Sequence, residues 1–173
     1  MREGEDVSRR LLRLEIPVFP DQGSFRLRDA VADLDAQTTP LAPLGALISA
    51  NREQLRVGSL QRQVQIQLTV EEWDGAPAPF GENWEDEAKA VLYLRGAIGI
   101  DTGAPDRSVC MLRLVGGVGD YVVRVFARNR REVARLYGEL FERGLDPLGD
   151  EFHQARSALD GLEQYLMQIW REG

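Results

Sequence analysis

Seventeen residues near the middle of the chain, EEWDGAPAPFGENWEDE (71–87), hold seven carboxylates, two of the three tryptophans and no basic side chain. Carboxylates at that density point to three kinds of chemistry. For acid–base work a pair has to converge on one reacting centre, and Glu85, Asp86 and Glu87 are consecutive, so they cannot all face it. For a calcium loop the D-x-D-x-D-G spacing is required, and it is missing. For recognition, tryptophans ringed by charge are the anchors that protein interfaces use, and an acidic field steers a basic partner. A purely structural alternative has Trp84 capping the core under a proline-constrained loop, while EDEAKAVL begins a short helix with its carboxylates favourably at the N-terminus. We take Trp73, Trp84, Glu85, Asp86 and Glu87 as the candidate partner-binding residues.

Other catalytic signatures are missing from the sequence. GGVGD lacks the Gly-Lys-Ser/Thr of a phosphate loop and leads into a strand pattern, not a helix. His153 is the single histidine, no paired-cysteine or H-E-x-x-H spacing occurs, and no G-x-S-x-G elbow offers a serine nucleophile. His153 is expected on a polar helix or loop, DEFHQAR, and Cys110 in VCMLRLV as a small apolar strand residue. No catalytic residue, cofactor or metal site is assigned.

A net charge of −7 opposes general affinity for nucleic acid, which depends on accumulated Lys and Arg. Lys89 is the only lysine against twenty arginines, a bias that genomic base composition explains. Five arginines cluster within YVVRVFARNRREVARLYGEL (121–140). They raise a weaker alternative, anion binding through Arg124, Arg128, Arg130 and Arg131. A wet strand face followed by helix Arg–Glu pairs at i,i+4 accounts for all of them without a ligand. The lack of a long apolar run or signal-peptide pattern leads us to expect a soluble, cytoplasmic protein.

The elements that must position these residues are read from periodicity. LLRLEIPVF and QVQIQLTV alternate apolar and polar residues at the period of a half-buried strand, and SFRLR is expected to pair with the first across the turn PDQG. AVLYLRGAIGID supplies one or two further strands. VCMLRLV and DYVVRVFAR are expected to form a hairpin across GGVG. Val133, Leu136, Tyr137, Leu140 and Phe141 then form a helical stripe, with Asn129 and Glu132 spaced as a capping box and Gly144 as the stop. Residues 29–60 give no clear pattern beyond proline breaks at Pro40 and Pro43 and a possible short helix in LGALISANREQL. The tail LEQYLMQIW satisfies a helix and a strand equally.

YVVRVFARNR followed by EQYLMQIW resembles an uncharacterised bacterial family of small β proteins that ends in a YL-x-Q-x-W strand. NWEDEA, GAIGID and GDYVVRV, in that order, resemble the competence protein J family of DNA-entry nuclease inhibitors. Together the matches cover about residues 64–128 and the tail. The first resemblance implies that the tail is a strand beside 120–128. The second implies a small β-sandwich that binds and blocks a protein, and it carries over only Trp84, Glu85, Asp86 and Glu87. The segment of about thirty-five residues before the tail, with its amphipathic helix, is longer than the first family leads one to expect.

The expected architecture is therefore mainly β: an antiparallel β-sandwich with one flanking amphipathic helix, in a single domain over 1–173. The expected function is a non-catalytic binding module, an inhibitor or immunity-like protein for a basic protein partner. The alternatives are a carboxylate-based enzyme using the 71–87 loop and the arginine-based anion binder.

Overall fold

A computed structural model describes residues 7–32, 43, 45–79, 81, 83–102 and 108–173. The expectations concerning Pro40, and the parts of the acidic segment at Phe80 and Glu82, lie outside those residues. Eight strands and two helices follow one another as β1 (Arg10–Val18), β2 (Ser24–Asp29), β3 (Ile48–Ala50), β4 (Gln54–Gly58), β5 (Ile66–Trp73), β6 (Asp86–Asp101), β7 (Val109–Arg128), α1 (Arg130–Glu142), α2 (Asp150–Ser157) and β8 (Gln164–Arg171).

All eight strands join one sheet in the order β1-β5-β8-β7-β6-β2-β4-β3, antiparallel except for the β5–β8 pair. The fold is thus mainly β, but a single mixed sheet replaces the expected sandwich. The sheet buries its apolar face by curling over itself. Phe25 of β2 meets Tyr165 of β8 edge to face at 5.2 Å, although β7 and β6 lie between those strands in the sheet. The Tyr165 hydroxyl reaches the Gly58 carbonyl at 2.9 Å, and the Phe19 amide reaches the Thr102 carbonyl at 3.1 Å. The hydrogen-bonded order remains open, with β1 and β3 as its edges. Inside the curl, Leu27, Leu55, Ile66, Leu68, Leu92, Leu94, Val123 and Met167 are fully buried, and at about 25 cal/mol per Å² they supply the main stabilisation.

Several local expectations change for physical reasons. GGVG does not turn the chain: 109–128 is one long strand. Residues 114–117 stand opposite the single residue Gly96, because Arg95 pairs with Val118 and Ala97 with Arg113. Glycine makes that bulge possible, since Gly96 and Gly117 both take positive φ. The hairpin joins β6 to β7 instead. β2 does not pair with β1 across PDQG but with β4 and β6. LGALISANREQL forms β3, a turn and β4, since Asn51 Oδ1 accepts from the Glu53 and Gln54 amides and closes the turn. EDEAKAVL is strand from Asp86 onward, not a helix start. Cys110 is exposed on β7.

The tail is the strand β8, antiparallel to β7 with Tyr121↔Arg171 through Arg128↔Gln164, as the first resemblance implies. The long connection before it carries α1 and α2. Gly144 at φ 69° ends α1, as expected. The capping box does not form: Asn129 is itself left-handed at φ 63°, and its amide donates to the Leu162 carbonyl at 2.8 Å. Val133 and Leu140 are buried, while Tyr137, Phe141 and Phe152 of α2 form an edge-to-face aromatic cluster.

Candidate functional site

Successive strand residues point to opposite faces, and this rule sorts the seven carboxylates of 71–87. Glu71 lies on the outer face of the curled sheet and is 1% exposed. Strand register sets Arg13, Glu71, Gln168 and Arg124 in one row across β1, β5, β8 and β7. The Glu71 carboxylate accepts from Arg10 Nη1 (3.0 Å), Arg13 Nη1 (2.8 Å) and the Trp73 indole (3.0 Å). Gln168 continues the row, its Oε1 accepting from Arg124 Nη2 at 2.6 Å. Glu72 points to the other face, also 1% exposed, and accepts the Val115 and Gly116 amides at 2.9 and 2.8 Å. It thereby satisfies the backbone donors that the β7 bulge takes out of the ladder. Beside it, burial first and then the Glu72 charge hold the Tyr121 hydroxyl above its ordinary pKa.

The remaining acids are arranged differently. Asp74 accepts the Arg9 amide at 2.6 Å. Asp86 opens β6 between Arg130 (3.0 Å) and Arg131 (3.3 Å). Partial burial pushes its carboxyl upward, but the hydrogen bonds and charges of the two arginines outweigh that and leave it below the usual carboxylate value. Glu85 and Glu87 are exposed, and neither has a partner among the described residues. Among the described residues of the segment no carboxylate pair converges on one centre: Glu71 and Glu72 serve opposite faces, and Asp86 is held by arginines. Among the described residues no three His, Cys, Asp or Glu side chains are grouped as metal ligands.

The two candidate tryptophans are half-buried and are not side by side. Trp73 pairs in register with Trp170, which is opposite Val122, whereas Trp84 packs on Phe126 at 5.8 Å between ring centroids. Val122 and Phe126 are four residues apart on β7, roughly 13 Å along a strand. The intervening loop crosses that gap, with the Pro77 carbonyl 3.4 Å from Arg124 Nη2. Trp73 lines a groove of about 410 Å³ with Val7, Ser8, Pro77, Ala78 and Pro79. The indole nitrogen of Trp84 is buried with no hydrogen-bond partner among the described residues.

The arginine run is only in part the solvated face that its spacing suggests: Arg131 and Arg135 are exposed, whereas Arg124 and Arg130 are buried. Arg124 is 9% exposed, its guanidinium 5.5 Å from the Trp170 ring and 5.1 Å from Phe126. Arg128 lies 4.8 Å over Trp84, so the outer face carries a continuous stack of Trp170, Arg124, Phe126, Trp84 and Arg128. Arg130 is 1% exposed and links Asp86 to the Ala46 carbonyl. Of the helix pairs read from i,i+4 spacing, Arg135–Glu139 forms, with Glu132 as a further partner of Arg135, while Arg143 meets Glu151 instead of Glu139. At the proposed anion site, Arg124, Arg128 and Arg130 thus have their guanidinium groups held in internal contacts, and Arg131 is exposed with one contact to Asp86. The sequence cue was present in β8: its glutamines Gln164 and Gln168 are the acceptors opposite Arg128 and Arg124.

Another buried acid, Glu163, lies outside the acidic segment and carries no spacing signal in the sequence. Its carboxylate accepts from Ser59 (3.1 Å), Gln61 (2.9 Å) and Tyr165 (2.6 Å), joining the start of β8 to the turn after β4. Burial raises its pKa, and those hydrogen bonds only partly oppose the rise.

No helix among the described residues is long and apolar enough to cross a membrane. No protein-family profile and no curated protein sequence matches the chain. Two solved structures do match. One is the crystal structure of ComJ, inhibitor of the DNA degrading activity of NucA, from Bacillus subtilis, at 10% identity and a TM-score of 0.54, covering 96% of this chain and 99% of that one. The other is the crocagin biosynthetic gene J protein, at 12% identity and 0.53, with the same coverage. The chain therefore shares over nearly its whole length the fold of ComJ, which the resemblance of NWEDEA, GAIGID and GDYVVRV implies.

Proposed function

We propose that the protein is a non-catalytic binding module that docks a basic protein partner through Trp73, Trp84, Glu85, Asp86 and Glu87. The observation that carries this reading is the state of the second half of the segment. The Glu85 and Glu87 side chains are exposed without partners among the described residues, beside an indole whose ring is fixed by Phe126 and Arg128. A rigid aromatic flanked by unpaired charge is suited to become a buried anchor with a charged rim. The groove at Trp73 offers an apolar recess on the same loop. Likeness to ComJ, described as an inhibitor of the DNA-degrading activity of NucA, supports a nuclease as the partner class and inhibition as the outcome.

The test is capture followed by assay. Immobilised wild type is expected to retain a basic protein from native cell extract, and Trp84→Ala to lose it. The captured protein is expected to degrade DNA, more slowly once the chain is added in equal amount. Equal capture by both forms would remove the surface, and an undiminished rate of DNA degradation would remove the inhibitory role.

A further inference from the structure

Arg56, on the outer face of β4, and Arg62, in the turn after that strand, have no internal partner among the described residues and lie away from the arginine run. Arg26 and Arg56 are directly opposite in the antiparallel register, and like charges so placed repel. Arg26 has relief from Asp101, at 2.9 Å from Nε and 2.6 Å from Nη2, but Arg28 draws on the same carboxylate at 3.4 Å. Among the described residues no carboxylate pairs with Arg56 or with Arg62. These side chains, with Arg26, Ser24 and Asp21, line one cleft of about 470 Å³.

The wall that carries Arg62 is fixed. Gln61, 5% exposed, accepts the Gln63 and Val64 amides and donates to the Val64 carbonyl and to Glu163. Arg62 is thus presented from a turn whose backbone donors are already held, which lowers the ordering cost of binding.

We propose that this cleft binds a small anion bearing a terminal phosphate. Two unpaired guanidinium groups and a third shared one exceed what a carboxylate, with two oxygens and one charge, can satisfy. A phosphate offers three oxygens and up to two charges in the geometry that guanidinium forks match. The cleft is of small-molecule size, and the net charge of −7 repels a polyanion such as nucleic acid while leaving a compact anion free to enter. Asp21 on the rim disfavours a second anionic group and favours hydroxyls there.

The proposal is tested by following amide and arginine Nε resonances during titration at low ionic strength with inorganic phosphate, pyrophosphate and acetate. Wild type, Arg56→Gln, Arg62→Gln and the off-site control Arg131→Gln are compared. Expected is saturable binding of phosphate or pyrophosphate, weaker by about tenfold or more in Arg56→Gln and Arg62→Gln and unchanged in Arg131→Gln. Thermal melts guard against misfolding: without phosphate Arg56→Gln melts at or above wild type, because the like-charge pair is gone, and phosphate raises the wild type more than the variant. Absence of saturation by both phosphates up to about 10 mM would overturn the proposal. So would equal affinity in Arg56→Gln, or acetate binding as tightly as phosphate.

Discussion

The two ends of the segment 71–87 have nearly the same composition and different fates. At the first end, Glu71 and Glu72 are each 1% exposed, and each accepts several donors brought from distant strands. At the second end, the Glu85 and Glu87 side chains are exposed without partners among the described residues, beside a half-buried tryptophan. A run of acids is therefore two things here: the polar fastening of a curled sheet, and a charged rim. What separates them is whether the neighbouring strands present donors at that register.

The largest effect should come from breaking the first end. Glu71→Ala leaves Arg10, Arg13, the Trp73 indole and Gln168 without their common acceptor, and is expected to cost about 3 kcal/mol or more in urea unfolding. Glu72→Ala orphans two amides of the β7 bulge and should cost ~2–4 kcal/mol. A loss below about 0.5 kcal/mol in either variant would erase the contrast.

Trp84 lies between the two classes. Trp84→Ala removes packing on Phe126 and Arg128 and should cost ~2 kcal/mol, since the ring is only half-buried. Trp84→Phe keeps the ring and deletes a buried donor that has no acceptor, so it is expected to be neutral or stabilising. A Trp84→Phe variant as unstable as Trp84→Ala would mean that the indole nitrogen is satisfied after all.

Titration sharpens the same comparison. Asp86 is depressed in the folded state, so its contribution is present above the ordinary carboxylate range and is lost as pH falls through its folded value. Asp86→Asn should accordingly reduce the acid-side slope of stability against pH. Glu163 has the opposite sign: raised by burial, its contribution is complete below the ordinary carboxylate value and is lost as pH rises through the folded one. Glu163→Gln should flatten that loss. Slopes unchanged in both variants would contradict the assignment.

The smallest effect on folding belongs to the second end. Glu85→Gln with Glu87→Gln should shift stability by no more than about 0.5 kcal/mol, as exposed and unpaired side chains do.

Much of this architecture was legible from alternation. The strand patterns in LLRLEIPVF, QVQIQLTV and DYVVRVFAR mark β1, β5 and β7, and the stripe from Val133 to Phe141 marks α1. Period alone leaves pairing undetermined, so β2 appeared as a partner of β1 when it lies across the sheet beside β4 and β6. A glycine pair reads alike as a turn or as a bulge, and Glu72 decides for the bulge at 114–117 from a distance of more than forty residues. The arginines of β7 show the same limit: spacing places Arg124 and Arg128 on a wet strand face, while the acceptors Gln164 and Gln168 and the covering Pro77 come from other parts of the chain. Of the candidate site, the sequence offers only the composition of 71–87. The separation of Glu71 and Glu72 from Glu85 and Glu87 required tertiary partners.

The most direct test is titration of the captured partner with wild type and with the Glu85→Gln/Glu87→Gln double variant at low and physiological salt. Docking through this end predicts association slowed by about tenfold at low salt in the double variant, a flatter salt dependence and unaltered folding stability. Identical association rates and salt dependence for the two forms would contradict it.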